Sequence, residues 1–136
     1  MGGLVLKLRA HEEVLVNGVV MRNGDRNVRL VVKSPDAHIL RLSEALQPEE
    51  AATPVSRLCF LAQQVVAGQC PGEAAAPKLL RGLADLRAAL GSDCDLGHLT
   101  DAQTALEEGK FYGAFRALKR MIPVEANLLG KSGLPA

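Results

Sequence analysis

The stretch LVLKLRAHEEVLVNGVVMRNGDRNVRLVVKSPDAHILR, residues 4–41, decides the fold because short apolar runs alternate in it with turn signals. Asn17-Gly18 lies between two such runs, and Asn-Gly tolerates the positive φ angles of a tight hairpin turn well. Asn23-Gly24 and Ser34-Pro35 mark the next two reversals. The pattern predicts a meander of five strands at Leu4–Leu8, Glu13–Val16, Val19–Arg22, Val28–Lys33 and His38–Leu42.

Side chains alternate in character along these predicted strands. Leu4, Leu6 and Leu8 share one face of the first strand, whereas Lys7 lies on the other face and Arg9 follows it there. One face of the sheet is therefore apolar and the other partly basic. Because a sheet of this size is marginal on its own, it needs the rest of the chain or a second copy as a partner layer. We expect a homodimer that forms through the sheet.

Beyond Gln47 the apolar residues follow the spacing of amphipathic helices. Thr53-Pro54 is a favourable helix start, and Gly68 is a suitable end. Further helices are predicted from Pro77 to Gly91, from Leu96 to Glu108, and from Phe111 to an interruption at Pro123. The predicted fold class is α+β, with a small antiparallel β module at residues 1–46, a four-helix region at 47–130 and a flexible tail at 131–136.

The bulk composition indicates a globular protein of 136 residues with one domain or two very small ones. The net charge of +1 divides into about +2 in residues 1–46, −5 in residues 47–109 and +4 in residues 110–136. Local anionic contacts suit this pattern better than a long nucleic-acid duplex does. No apolar run is long enough to span a membrane, and no secretory signal precedes the strands. We expect a cytoplasmic protein without membrane contact.

Catalytic and metal-binding motifs do not stand out in the sequence. Cys94 and His98 have ligand-like spacing, but a structural zinc site needs four ligands, and no second pair accompanies them. Cys59 lies on the apolar face of a predicted helix, where a small core residue is more common than a nucleophile. We therefore expect no metal, no other cofactor and no enzymatic activity.

Basic residues are the remaining candidates for function, and they occur at intervals along the predicted strands and their turns. Arg26 and Arg29, near an Asn-Gly loop, suit contacts to phosphates and base edges of single-stranded RNA. The candidate RNA-binding residues are Lys7, Arg9, Arg22, Arg26, Arg29, Lys33 and Arg41. A possible secondary basic face lies on the fourth helix at Arg116, Lys119 and Arg120, although an ordinary solvated face explains these residues more simply.

Three separated signatures give the chain a resemblance to the FlbT family of flagellar regulators. The first comprises Glu13, Val16-Asn17-Gly18 and Asn23-Gly24-Asp25-Arg26, and the second comprises Thr53-Pro54, Leu58-Cys59 and Leu61-Ala62. The third comprises Gly109, Phe111-Tyr112, Ala117-Leu118 and Pro123. The resemblance implies a post-transcriptional regulator that associates with the 5′ untranslated leader of flagellin mRNA, lowers translation, promotes decay and acts alongside a companion regulator, FlaF.

The first 46 residues also resemble, more distantly, the CsrA family of RNA-binding proteins. The segment NVRLVVKSPDAHILR, residues 27–41, is similar to the CsrA segment that runs from a central strand to a basic edge strand. CsrA proteins are dimers that hold RNA between the first and last strands. The resemblance places the corresponding elements at residues 6–9 and 39–41, with Arg41 one residue earlier than the arginine of that family.

Two hypotheses of function follow from these patterns. The first is a non-enzymatic repressor that binds the 5′ untranslated region of flagellin mRNA, blocks translation and promotes degradation. The second is an adaptor of flagellar assembly whose helices bind a FlaF-type regulator or flagellin, with indirect effects on RNA. Phe60 and Leu61 lie off the main apolar stripe of the first helix and are candidates for such docking, although packing within the protein explains them more simply.

Overall fold

The computed structural model describes residues 4–34, 37–90 and 96–132. Five strands come first, at β1 (Leu4–Leu8), β2 (Glu13–Val16), β3 (Val19–Arg22), β4 (Val28–Val32) and β5 (Ile39–Arg41). A short 3-10 turn at Pro48–Glu50 leads to α1 (Pro54–Val66), α2 (Gly72–Leu90), α3 (Gly97–Glu107) and α4 (Phe111–Ser132). The α+β class with antiparallel strands before four helices is confirmed.

The chain forms two compact units. The strand unit comprises residues 1–45 and 66–69, and the helical unit comprises residues 46–65 and 70–136. None of the described helices combines the length with the apolar character that crossing a lipid bilayer requires.

The tight hairpin between β2 and β3 follows directly from the Asn-Gly pair. Asn17 and Gly18 both have positive φ, at 49° and 83°, as the predicted turn requires. Val16 then pairs with Val19, and Glu13 pairs with Arg22 at the far end. The Ser34-Pro35-Asp36 turn falls partly outside the described residues.

The predicted meander is wrong, because β4 pairs with β1 and not with its sequence neighbour β3. The described strands form a two-stranded sheet, β1-β4, and a three-stranded sheet of order β3-β2-β5, all antiparallel. Asparagine side chains hold the loops together at this crossover. Asn23 Nδ2 donates to the carbonyls of Arg9 and Arg26, and the Ala10 N–H donates to Asn27 Oδ1 at 3.0 Å. These bonds tie the loop after β3 to the loop after β1, so the chain re-enters beside β1.

Apolar side chains from both small sheets form the core of the strand unit. Leu6 and Leu8 of β1 are buried together with Val14 of β2. Val16, Val32 and Ile39 pack against this cluster and are partly buried. The two sheets therefore meet through one face each, while Lys7 and Arg29 lie on the opposite face of the β1-β4 sheet.

The first helix begins and ends where the sequence predicts. Thr53 precedes Pro54, and its hydroxyl accepts a hydrogen bond from the Ser56 N–H at 3.3 Å. The chain leaves the helix through Gly68, whose φ is +78°. The apolar face predicted for this helix is buried, with Val55, Cys59 and Ala62 fully enclosed.

The second helix begins earlier than predicted, at Gly72 rather than Pro77. Pro71 precedes it, and the N–H groups of Ala74 and Ala75 donate to the Pro71 carbonyl. Buried residues flank Pro77 on this helix, and their packing offsets the one hydrogen bond that the proline removes. A Cβ at position 72 would lie 2.7 Å from Cε2 of the Phe111 ring, so a larger residue there would require this ring to shift.

The fourth helix continues through Pro123, where an interruption was predicted. Met121 and Glu125 are buried on either side of this residue, at 0% and 5% exposure. Proline removes one intrahelical bond and costs about 3 kcal/mol in a helix interior. Burial on both sides outweighs that cost, and the helix runs to Ser132. Of the predicted 131–136 tail, residues 133–136 lie outside the described residues.

Candidate functional site

An open cleft of about 910 Å³ lies in the strand unit, and we call it the basic cleft. Its walls come from the end of β1, the following loop, the start of β4 and the segment after β5. The residues that line it are Lys7, Leu8, Arg9, Ala10, His11, Glu12, Asn27, Val28, Arg29, Arg41, Ser43 and Glu44. Four of the seven predicted RNA-binding residues therefore converge here.

The unexpected pairing of β1 with β4 brings these cations together. Lys7 and Arg29 are register partners on adjacent strands, on the face opposite the buried Leu6 and Leu8. Arg9 follows β1 directly, and Arg41 comes from β5. Residues separated by more than thirty positions thus share one concave surface.

Glu12 neutralises part of this charge from inside the cleft. Its Oε2 accepts a hydrogen bond from Arg41 Nη1 at 2.8 Å, and its Oε1 accepts one from the Arg9 N–H at 2.9 Å. Glu44 Oε1 lies 4.0 Å from Arg41 Nε. The Arg9 N–H, followed by the Arg41 guanidinium, lowers the pKa of Glu12 below its ordinary value. Arg41 therefore serves first as a structural ion-pair partner.

Lys7, Arg9 and Arg29 supply the available positive charge. All three side chains are exposed, and within the described part of the chain no carboxylate forms an ion pair with them. Three cations on one concave surface raise the local concentration of anions and can contact successive phosphates of a flexible strand. The cleft is thus chemically suited to bind a polyanion.

Hydrogen bonds hold the rim of the cleft in place. The His11 N–H donates to the Gly24 carbonyl at 2.8 Å, and His11 itself has a positive φ of 63°. Together with the Asn23 and Asn27 bonds described above, this contact joins the two loops. Sequence reasoning missed Glu12 and both asparagines as parts of the site. The available signal was an asparagine at each end of the NGDRN loop, since asparagine side chains bond readily to nearby backbone.

The other three predicted residues of the strand unit do not line the basic cleft. Arg22 pairs with Glu13 at 3.4 Å on the surface, a contact of small energetic value. Arg26 and Lys33 are exposed.

The possible secondary face lies in the helical unit, on α4. The Arg116 guanidinium lies 5.8 Å from the centre of the Tyr112 ring, and Lys119 Nζ lies 5.8 Å from that of Phe115. Arg116 and Arg120 are exposed, whereas Lys119 is half-buried. These cations belong to the helical unit, whereas the basic cleft belongs to the strand unit.

Other reactive groups do not assemble into a site in the ranges that the structure describes. No three His, Cys, Asp or Glu side chains are grouped there in a way that would hold a metal ion. Cys59 is buried, and burial raises the pKa of its thiol to about 12. Its Sγ lies 3.6 Å from the Phe115 carbonyl, as expected of a core residue.

We expect the strand unit to lose stability in acid through Glu12. A carboxyl whose pKa is lowered in the folded state stabilises the fold above its unfolded pKa of about 4.5. That contribution is lost as the pH falls through the lower folded pKa. Replacing Glu12 with glutamine should therefore lower the unfolding free energy at pH 7 by about 1–2 kcal/mol and flatten its decline below pH 4.5. Urea denaturation across a pH series measures both effects.

Glu13→Gln is the matched control for this prediction. Glu13 is the adjacent carboxylate and also pairs with an arginine, but its side chain is 41% exposed, against 13% for that of Glu12. Its replacement should change stability by less than about 0.5 kcal/mol. Equal effects of the two variants would show that the Glu12 contacts do not stabilise the strand unit.

Comparison with known proteins gives one consistent result. The model of the family described as flagellar protein FlbT matches residues 4–129. A protein of Chelativorans sp. (strain BNC1), named probable flagellum biosynthesis repressor protein FlbT, is 32% identical over 124 residues, which cover 91% of this chain and 84% of that protein. Proteins of the same name from Brucella ovis and Brucella abortus (strain S19) are 31% identical over 125 residues, covering 92% of this chain and 81% of each. No solved structure matches the chain. The family match over nearly the whole sequence shows that the chain belongs to the FlbT family of flagellar proteins.

Proposed function

We propose that the protein is a cytoplasmic, non-enzymatic repressor that binds the 5′ untranslated region of flagellin mRNA. The basic cleft carries this proposal, because three exposed cations without carboxylate partners in the described chain converge there. The relatives named as flagellum biosynthesis repressors support the regulatory part. The resemblance to regulators that act on flagellin leaders supports the choice of RNA.

Single-stranded RNA suits the cleft better than a duplex does. Lys7, Arg9 and Arg29 are clustered at one open cleft, whereas a duplex presents phosphates along an extended surface. The three cations would hold consecutive phosphates, and polar groups of the rim, including the Asn27 side chain, would approach exposed base edges. The chain has only four aromatic residues, one Tyr and three Phe, so extensive base stacking is not a part of this proposal.

Repression would follow from occupancy of the leader. A protein bound to the 5′ untranslated region competes with ribosome loading, and an untranslated message is exposed to nucleases of the cell. No catalytic group of this chain is needed for either effect. A FlaF-type regulator would act alongside it.

Replacing both Lys7 and Arg29 with alanine is expected to weaken binding to a flagellin leader RNA by about 100-fold in low salt. Two phosphate contacts are lost, and each contributes about 0.7 to the slope of log affinity against log salt for single strands, so the slope should fall by about 1.4. Filter binding across a salt series, with a scrambled RNA of equal length as competitor, measures affinity, slope and preference for the leader.

The matched control is the double variant Arg26→Ala with Lys33→Ala. It removes the same charge from exposed positions of the same unit that do not line the cleft. This control variant should lose less than about 10-fold in affinity, against about 100-fold for the Lys7 and Arg29 variant. Equal losses would place the RNA elsewhere on the strand unit, and a wild-type protein that binds leader and scrambled RNA equally would contradict the proposal.

The second candidate function is an adaptor that binds a FlaF-type regulator or flagellin through α4. The Arg116 guanidinium lies over the ring of Tyr112, which is 38% exposed, and arginine and tyrosine are enriched at protein interfaces. Capture of FlaF or flagellin by the full-length protein, together with failure to bind the leader RNA, would favour this function over the first.

A further inference from the structure

The strand unit exposes an unusual amount of apolar surface for its size. Within the described residues, eight of its large apolar side chains are between 37% and 60% exposed. These residues are Leu4, Val5, Val19, Val20, Met21, Val28, Leu30 and Val31. Contiguous exposed apolar surface of a few hundred Å² marks interaction sites in soluble proteins.

Strand register shows that five of these side chains belong to the core-facing sides of the two sheets. Leu30 and Val28 are partners of the buried Leu6 and Leu8, so they share the core-facing side of the β1-β4 sheet. Leu4 lies on that side too, two residues before Leu6. Val19 and Met21 are partners of Val16 and Val14, which form the core side of the other sheet. We call Leu4, Val19, Met21, Val28 and Leu30 the open face, of which Val28 also lines the basic cleft.

The strands that carry most of the open face are also edge strands. β3 and β4 each have one neighbour, and no described backbone group pairs with their outer edges. Unpaired edges bind another strand readily, and a two-stranded sheet such as β1-β4 is marginal alone. The exposed apolar side chains of the open face thus lie next to the unpaired outer edges of β3 and β4.

We propose that a second copy of this chain covers the open face and forms a symmetric dimer. Half of the surface of five such residues is roughly 400 Å² per copy, so two such patches bury about 800 Å². Pairing of the strand edges adds to this area, toward the roughly 1,200 Å² at which specific interfaces begin. The open face carries no charged side chain, and the net charge of +1 causes little repulsion between copies. Apolar faces and edges of the same kind are self-complementary across a two-fold axis.

Adjacent valines on β3 provide a matched test. Val19 and Val20 are 58% and 57% exposed, but only Val19 lies on the open face. Sedimentation equilibrium of the wild-type chain should give twice the 14.4 kDa monomer mass. Val19→Lys should raise the dimer dissociation constant at least about 100-fold, because each dimer would bury two unpaired ammonium groups. Val20→Lys should leave it within about threefold.

A second pair on β4 keeps the test decisive if Val19→Lys does not fold, as judged by far-UV circular dichroism. Leu30→Lys lies on the open face and should dissociate the dimer, whereas Val31→Lys lies on the opposite side and should not. A wild-type chain that remains monomeric to high concentration overturns the proposal, as do variants of the two sides that dissociate equally. The measurement uses no RNA, so its outcome is independent of the proposed repressor function.

Discussion

Phe115→Ala is expected to lower the free energy of unfolding of the helical unit by about 4 kcal/mol, a large part of the stability of a small protein. Phe115 is 0% exposed and is the largest of the fully buried side chains. Its removal loses the free energy gained by transferring the ring from water into the core. It also leaves a cavity that the surrounding helices fill only partly. The loss also removes the ring over which Lys119 Nζ lies. Urea denaturation followed by circular dichroism at 222 nm measures the change.

Phe115→Leu separates the size of the cavity from the identity of the residue. Leucine retains most of the apolar volume, so its cost should be about 1–1.5 kcal/mol. All variants should be compared at one protein concentration, because a dimer makes apparent stability depend on concentration. A loss below about 1 kcal/mol for alanine would show that the ring does not occupy the core of this unit.

Elements of the fold were predictable where local rules determine them. The Asn17-Gly18 turn placed the β2-β3 hairpin correctly, because a tight turn and the register it sets are properties of adjacent residues. Thr53-Pro54 placed the start of α1 for the same reason. The pairing of β1 with β4 was not predictable, since the hydrogen bonds that accompany it, from Asn23 to Arg9 and from Ala10 to Asn27, span 14 and 17 residues. The course of helices through Pro77 and Pro123 depends on tertiary burial, which a propensity scale does not contain.

The sequence indicated which types of residue form the candidate site, but not which individual residues line it. Charge and position selected seven cations of the strand unit, and the basic cleft contains four of them. Strand alternation correctly put Lys7 on the non-core face, but only the non-local pairing of β1 with β4 makes Arg29 its neighbour. Glu12 could not be assigned as the partner of Arg41 from sequence, because 29 residues separate them.

Glu125→Ala is expected to destabilise the helical unit by about 3 kcal/mol. Glu125 is 5% exposed, and its Oε2 accepts a hydrogen bond from the Val55 N–H at 3.1 Å. Val55 lies in the first turn of α1, where N–H groups have no partner within the helix and where the helix dipole favours a carboxylate. Alanine would leave that N–H buried without its acceptor and would remove the favourable charge. Thermal and urea denaturation of the full chain measure the loss.

Glu125→Gln distinguishes the hydrogen bond from the charge. A glutamine carbonyl can still accept from the Val55 N–H, so this variant should lose only the part that the negative charge contributes at the helix terminus, about 1 kcal/mol. Glu107→Ala, at an exposed position near the end of α3, should change stability by less than about 0.5 kcal/mol. If alanine and glutamine at position 125 cost the same, the charge dominates and the hydrogen bond adds little. If neither variant destabilises the protein, α4 does not cap α1. We therefore expect the loss of unfolding free energy to be largest for Glu125→Ala, smaller for Glu125→Gln and smallest for the Glu107→Ala control. This order requires a buried carboxylate against the first turn of α1, and the uninterrupted course of α4 through Pro123 holds it there.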